Sequence, residues 1–395
     1  MSTTGRRGSV KQSANGSWFF IIDVPSRDLD ANGKVKRKQT RRRGFKTRRE
    51  AQAELTRTLG TLGTLTYVAP QNQTLAEFLT TTWLPAIEHT IKPLTFQAYR
   101  RMLRRHIIER AIGGMKLQQV DGPALNIHYA LLLAGDGTYE ALGATTVRNI
   151  ATILHRAFRD AMRWQAVSRN PVEASDPPRP SVSPEMNTWT AGQLHTFLEV
   201  ARDHRHAAAW WILGTTGMRR GEALGLRWSD IDLEKQQVKV QRALLTGEGG
   251  KMWSSPKTKA GKRVVSIDTE TVALLRSHKA RQNEEKLALG AGYVDDDLVT
   301  AQEDGQSVSP TRITEQFGRI FRRAGLPHIR LHDLRHTYAT LALEAGINPK
   351  VVQEALGHSH VSVTLGIYSH VDQKMQASAA ALLAAMRKAA SEVAT

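Results

Sequence analysis

Along the chain the spacing of apolar positions changes, and each change predicts a different architecture. The run Trp18-Phe19-Phe20-Ile21-Ile22-Asp23-Val24 is aromatic and β-branched. Flanked by Asn15-Gly16 and Pro25-Ser26, it predicts a strand. Asn32-Gly33 marks a turn, and 35–43 predicts a second strand crowded with Lys and Arg. Thr47-Arg48-Arg49-Glu50 has the capping-box pattern that opens a helix, here to about residue 59. From 73 to 172 the period becomes helical, with helices expected over 75 to about 88, 94 to about 111, 123 to about 133 and 144 to about 167. Residues 171–184 hold five of the 14 prolines, which predicts a semi-rigid, non-helical linker. Beyond residue 188 the pattern is mixed. Helices are expected at 191–204, 207–213 and 221–226, then a strand meander at 237–243, 251–255 and 263–267. Further helices start at 271, 311 and 334, short ones follow Pro349 and Ser362, and an Ala-rich helix runs from 376 to about 390.

The pattern therefore predicts an α+β, multidomain chain. A small β-rich N-terminal domain (1–66) leads to a helical domain (73–172). The Pro-rich linker (171–184) follows, then a mixed, mainly helical domain with a small β-meander (185–375) and a C-terminal helix or tail (376–395).

Charge adds a partner to this picture. The 395 residues carry a net charge of +18, and residues 1–60 alone hold 15 Lys/Arg against 5 Asp/Glu. Such an excess predicts a polyanion, nucleic acid first. Arg100, Arg101, Arg104, Arg105 and His106 predict a second basic face, on a helix. The absence of cysteine excludes disulfides, thiolate metal sites and cysteine nucleophiles. With no apolar signal region and no run near 18 apolar residues, a soluble, cytoplasmic protein is expected.

Candidate chemistry lies in the last 180 residues. Attack on a phosphodiester gathers negative charge on the non-bridging oxygens, so fixed donors there dominate catalysis. Arg219 follows Thr216-Gly217 at a helix start, and Glu222 is spaced to hold its guanidinium. His332 and Arg335 share a helix face at i, i+3. His332 and His336 have metal-ligand spacing, but no Glu or Cys completes a site, so no metal is expected. His358 follows a glycine C-cap at Gly357. Lys257 and Lys259 lie near a hairpin turn at Ala260-Gly261, where an ammonium can give a leaving oxygen its proton. Tyr368 closes the series as a phenolic nucleophile.

These residues resemble the tyrosine recombinase family, specifically phage-type integrases. The matching stretches are TTGMRRGEALGLRWSDID (215–232), PKTKAGKRVV (256–265), LHDLRHTYATLALEAGINPKVVQEALGH (331–358) and VSVTLGIYSHV (361–371). The N-terminal and helical domains are similar, less distinctively, to the arm-binding and core-binding domains of such integrases. The resemblance implies that Arg219 and Arg335 clamp the scissile phosphate and that His332 and His358 hydrogen-bond and transfer protons. It also implies that a hairpin lysine, Lys259 in preference to Lys257, is the general acid. Tyr368 would form a 3′-phosphotyrosyl link and free a 5′-hydroxyl. Implied too are double-stranded DNA with core and arm-type sites, a homo-tetramer on DNA, a possible directionality factor and host DNA-bending protein, and no cofactor. The expected function is integration and excision of a mobile element such as a phage. A resolvase- or topoisomerase-like strand-transfer enzyme, or a non-catalytic DNA-binding protein, stays open as an alternative. Gly366, before the tyrosine, departs from the polar residue often found in that stretch.

Overall fold

A computed structural model of the protein describes residues 8–29, 35–63, 68–135, 137, 140–179, 187–254 and 261–361. The expected helices after Ser362 and over 376–390 lie outside the described residues, as do Lys257, Lys259 and Tyr368. The chain groups into two compact units, Met1–Val182 and Ser183–Thr395.

The first unit opens with an antiparallel sheet of order β1-β2-β3, formed by β1 (Ser9–Gln12), β2 (Trp18–Leu29) and β3 (Val35–Phe45). Phe20 sits opposite Val10 on one side and Arg42 on the other. Strand alternation sends Phe20 and Ile22 to one face, where they are buried against Leu55 of α1 (Arg48–Gly63). Phe45 stacks on Phe20 with ring centroids 5.7 Å apart. The capping box holds: Glu50 N–H donates to Thr47 Oγ1 at 3.2 Å, and Thr47 N–H donates back to Glu50 Oε2 at 3.3 Å. Short, polar β1 was not expected from the pattern. The Arg41 guanidinium lies 3.9 Å from the Phe19 ring centre, with Arg41 and Arg43 exposed.

The helical part has one core, with Leu79, Trp83, Leu103, Leu125, Leu154 and Phe158 all at or near zero exposure. Each such burial contributes about 1.5–3 kcal/mol. The first expected helix is interrupted. It consists of α2 (Leu75–Glu77), a wide π turn (Phe78–Trp83), α3 (Leu84–Ile87) and a 3-10 turn (Glu88–Thr90). Pro85 explains the wide turn, since it lacks the N–H that would bond to Thr81 and its ring crowds that carbonyl. Next come α4 (Pro93–Leu103), a second π turn (Arg104–Ile108), α5 (Gly122–Ala134) and α6 (Ala144–Arg163). Arg100, Arg101, Arg104 and Arg105 are exposed as expected, but His106 is buried and leaves the basic face. The Pro-rich segment also differs from expectation. Pro171–Ala174 forms a 3-10 turn with Val172 buried in the core, because proline suits the first position of a helical turn.

The second unit is built on α7 (Ala191–Ala201), α8 (Ala207–Thr216), α10 (Thr269–Leu289), α11 (Pro310–Arg323) and α12 (Asp333–Glu344). Trp189, Phe197 and Phe317 form its aromatic centre, with ring centroids 5.0–5.7 Å apart. The expected meander is in fact two sheets. β4 (Ile231–Asp232), β5 (Gln237–Val240) and β8 (Arg263–Ser266) pair in the order β4-β5-β8. A separate hairpin, β6 (Ala243–Gly247) with β7 (Gly250–Ser254), lies between β5 and β8 in sequence. The short helix α9 (Arg220–Leu224) follows α8, and α13 (Pro349–Leu356) packs on α12 through Leu343, Val352 and Leu356.

Candidate functional site

Four chain segments converge here, three of them carrying side chains expected from the sequence. The first is the α8–α9 turn. Gly217 ends α8 in the left-handed region at φ 63°. A Cβ there would sit 2.5 Å from the Tyr338 ring and 2.6 Å from Leu356, so both backbone conformation and space require glycine. Arg219 then caps α9, and Glu222 reaches back to it, accepting from the Arg219 N–H at 3.0 Å and from its Nη1 at 2.9 Å.

The second segment is the start of β8. The Arg263 side chain, 6% exposed, donates from Nη2 to Glu222 Oε2 at 2.8 Å. Burial pushes the Glu222 carboxyl up, but hydrogen bonding and charge from Arg263, then from Arg219, outweigh it and hold the group below the ordinary glutamate value. Glu222 is ionised, and two guanidiniums share it.

The third segment is the first turn of α12. Arg335 is 4% exposed and donates from Nη1 to the Gly217 carbonyl at 2.7 Å. Its Nη2 is buried without an acceptor among the described residues. Burial first, then the charge of Arg219, pushes this guanidinium down to about 9, with only Glu222 opposing. The site is thus short of negative charge. His332, at the N-cap of α12, and His336 stand edge to face with centroids 5.4 Å apart. Partial burial lowers both, and each is lowered further by Arg335.

The fourth is the end of α13. Gly357 is its left-handed C-cap, as expected, and its carbonyl accepts from Arg219 Nη2 at 3.4 Å. Gln353 Nε2 holds the His358 carbonyl at 2.8 Å. Burial, followed by Arg335 and Arg219, pushes the His358 ring down to about 4, so it is neutral at pH 7. The structure therefore unites Arg219, Arg335 and His358, with His332 on the same turn as Arg335. Sequence reasoning missed Arg263. Nothing in a lone arginine at a strand start distinguishes it from a solvated one. Among the described residues, no group of three His, Cys, Asp or Glu is arranged to hold a metal.

Two more histidines are held neutral by the core of this unit. His206 is pushed down to about 3 and His278 to about 4, in each case chiefly by burial. His278 accepts from Arg281 at Nδ1, so its Nε2–H donates to the Val299 carbonyl at 2.7 Å. A histidine with a depressed folded pKa binds its proton more readily when unfolded. Its stabilisation is complete above about pH 6.5 and is lost as pH falls through that range. Each ring should cost about 2 kcal/mol of stability between pH 7.5 and pH 5, from roughly 1.4 kcal/mol per pK unit. Thermal unfolding at the two pH values reads this, and equal midpoints would show that both rings are charged in the fold.

Comparison with known proteins gives a consistent result. The phage integrase family matches residues 188–375, an arm DNA-binding domain matches 9–62, and the phage integrase N-terminal SAM-like domain matches 74–124. A protein described as "Tyrosine recombinase XerC-like" from Caldanaerobacter subterraneus subsp. tengcongensis is 30% identical over 92% of this chain and 95% of its own length. The ICEBs1 integrase of Bacillus subtilis is 26% identical over 73% of this chain and 77% of its own. Among solved structures, the Tn1549 transposon integrase in complex with transposon right end DNA aligns at TM-score 0.62 and 23% identity, covering 75% of this chain and 95% of that one. The lambda integrase tetramer bound to a Holliday junction aligns at TM-score 0.55 and 19% identity, over 91% of this chain and 94% of that one. At these identities the structural likenesses speak to fold alone.

Proposed function

The chain belongs to the phage integrase family of tyrosine recombinases, and on that premise we propose how its residues divide the work of cleaving and rejoining DNA. The observation that carries the assignment is the buried Arg335 guanidinium beside Arg219, with one terminal nitrogen on Gly217 O and the other without an acceptor among the described residues. A phosphodiester supplies what this arrangement lacks. Arg219 and Arg335 donate to its non-bridging oxygens and offset the charge that builds up during displacement.

In this reading Tyr368 attacks the phosphorus, a P–O bond to the tyrosine forms, and the bond to the 5′-oxygen breaks. Lys259, or Lys257 in its place, gives the departing oxygen its proton. Neutral His358 hydrogen-bonds the phosphate region, and His332 with it relays the proton lost by the tyrosine. One phosphoester replaces another, so the 5′-hydroxyl of a partner strand reverses the step near isoenergetically, without ATP or a divalent metal.

The enzyme is a site-specific integrase. Its finer setting is our inference: integration and excision of a phage-like element by four protomers on two duplexes, in the cytoplasm of a bacterial host. A directionality factor and a host DNA-bending protein would assist. The N-terminal sheet, with Arg41 and Arg43 exposed beside Phe19, suits the arm-type sites, and residues 73–172 the core sites.

A duplex nicked beside the cleavage point tests the reading, because the short fragment bearing the freed 5′-hydroxyl diffuses away and cannot rejoin. Wild type should accumulate a covalent protein–DNA product on attachment-site DNA alone. Relaxation of supercoils in any sequence, with no joining between defined sites, would instead identify a topoisomerase-like relative.

A further inference from the structure

We propose that Arg263 is a positioning residue for strand cleavage, aiming Arg219 through Glu222 and setting His358 through the last turn of α13. The inference rests on the recombinase reading above and adds a residue to it.

The contacts form a closed ring. Arg263 Nη2 donates to Glu222 Oε2 at 2.8 Å, and the other carboxylate oxygen accepts from Arg219 Nη1 at 2.9 Å. Arg219 Nη2 reaches the Gly357 carbonyl at 3.4 Å, and Arg263 Nε returns to the Ala355 carbonyl at 2.6 Å, in the last turn before that glycine. Nη1 adds a contact to the Gly261 carbonyl at 3.3 Å, which fixes the entry into β8. One fork thus ties three segments: the turn that presents Arg219, the helix end that presents His358, and the strand that follows the lysine-bearing stretch. A lysine cannot repeat this, because its single ammonium does not reach acceptors lying in separate directions along a fixed plane. Stability alone is a poor account of the ring, since a buried ion pair contributes little net free energy once desolvation is counted. Geometry is the better account. Misplacing a catalytic group by about 1 Å can cost on the order of 10²-fold in rate.

The experiment compares full-length wild type, Arg263→Ala, Arg263→Lys, Glu222→Gln and the Arg263→Ala/Glu222→Gln double variant. Single-turnover formation of the covalent product is followed on the nicked duplex at saturating protein. Arg263→Ala should react on the order of 10²-fold more slowly, with duplex affinity within about threefold of wild type, as expected for a group that does not touch DNA. Arg263→Lys should recover no more than about tenfold, because it restores charge without the second reach. The double variant should be no slower than Arg263→Ala, since both changes open the same ring. The pH profile separates positioning from mere folding. Burial first, then Arg335, Arg219, His336 and, least of all, Arg263 hold the His358 ring in its neutral form. Wild type should be flat from about pH 5.5 to about 8, whereas in Arg263→Ala the last turn of α13 loses its tie to β8, the His358 ring gains water, and rate should fall below about pH 6 as the burial that depresses it weakens.

A wild-type rate in Arg263→Ala, or full recovery in Arg263→Lys, would overturn the proposal, as would a loss wholly explained by weaker binding. If Arg263→Ala does not fold, the Arg263→Lys rate decides: unimpaired cleavage sinks the ring. Wild type that forms no covalent product takes down the recombinase reading itself, whereas wild-type cleavage matched by the variants removes Arg263 alone.

Discussion

Tyr368→Phe should form no covalent product with the nicked duplex, while binding that duplex as wild type does. The substitution removes one oxygen and leaves the ring, yet the atom that bonds to phosphorus in the proposed mechanism is gone. No cysteine is present to substitute, and water attacking in its place would yield free ends and no adduct. The expected loss is therefore to below detection, larger than for any change to a supporting group. An unperturbed phenol titrates near 10, so phenolate at pH 7 costs roughly 4 kcal/mol, a cost that a cationic site lowers. An adduct that persists in the Phe variant would mean that another residue is the nucleophile.

Arg335→Ala carries the second-largest expectation. Cleavage should fall by about 10²–10³-fold, the scale seen when one fixed donor to a developing anion is deleted. Affinity for intact duplex should change far less, because this charge matters most when extra charge appears on the phosphate. Arg335→Lys should not restore the rate, since a single ammonium cannot hold the Gly217 carbonyl and a phosphate oxygen together. Unfolding supplies the control. The guanidinium is 4% exposed and, among the described residues, one of its terminal nitrogens lacks an acceptor, so relief of that desolvation cost should offset the lost bond to Gly217 and the thermal midpoint should change little. A midpoint that drops together with affinity would recast Arg335 as a structural residue.

Local signals carried much of the fold. The Thr47–Glu50 capping box, the glycine C-cap at Gly357, and the helical period from residue 73 are short-range patterns, and the structure repeats them. What the pattern missed depends on partners distant in sequence or on backbone detail. Strand β1 is too short and polar to announce itself, and exists because β2 offers it an edge. Pro85 was visible, but reading its missing N–H as a wide turn rather than a helix end requires knowing that the helix continues beyond it. The pairing of β5 with β8 around an inserted hairpin is likewise a long-range choice. At the site, Arg219, Glu222, Arg335 and His358 were legible because several cationic motifs occur in a telling order. Arg263 was not, for its role exists only once Glu222 and Ala355 fold to either side of it.

The half-satisfied guanidinium at Arg335 also bears on how the purified protein keeps. Among the described residues one of its donors has no acceptor, so an oxyanion seated there would favour the native form. Sulfate in a storage buffer, or the duplex itself, should therefore act as a preservative, heat tolerance rising with the fraction of molecules whose seat is filled.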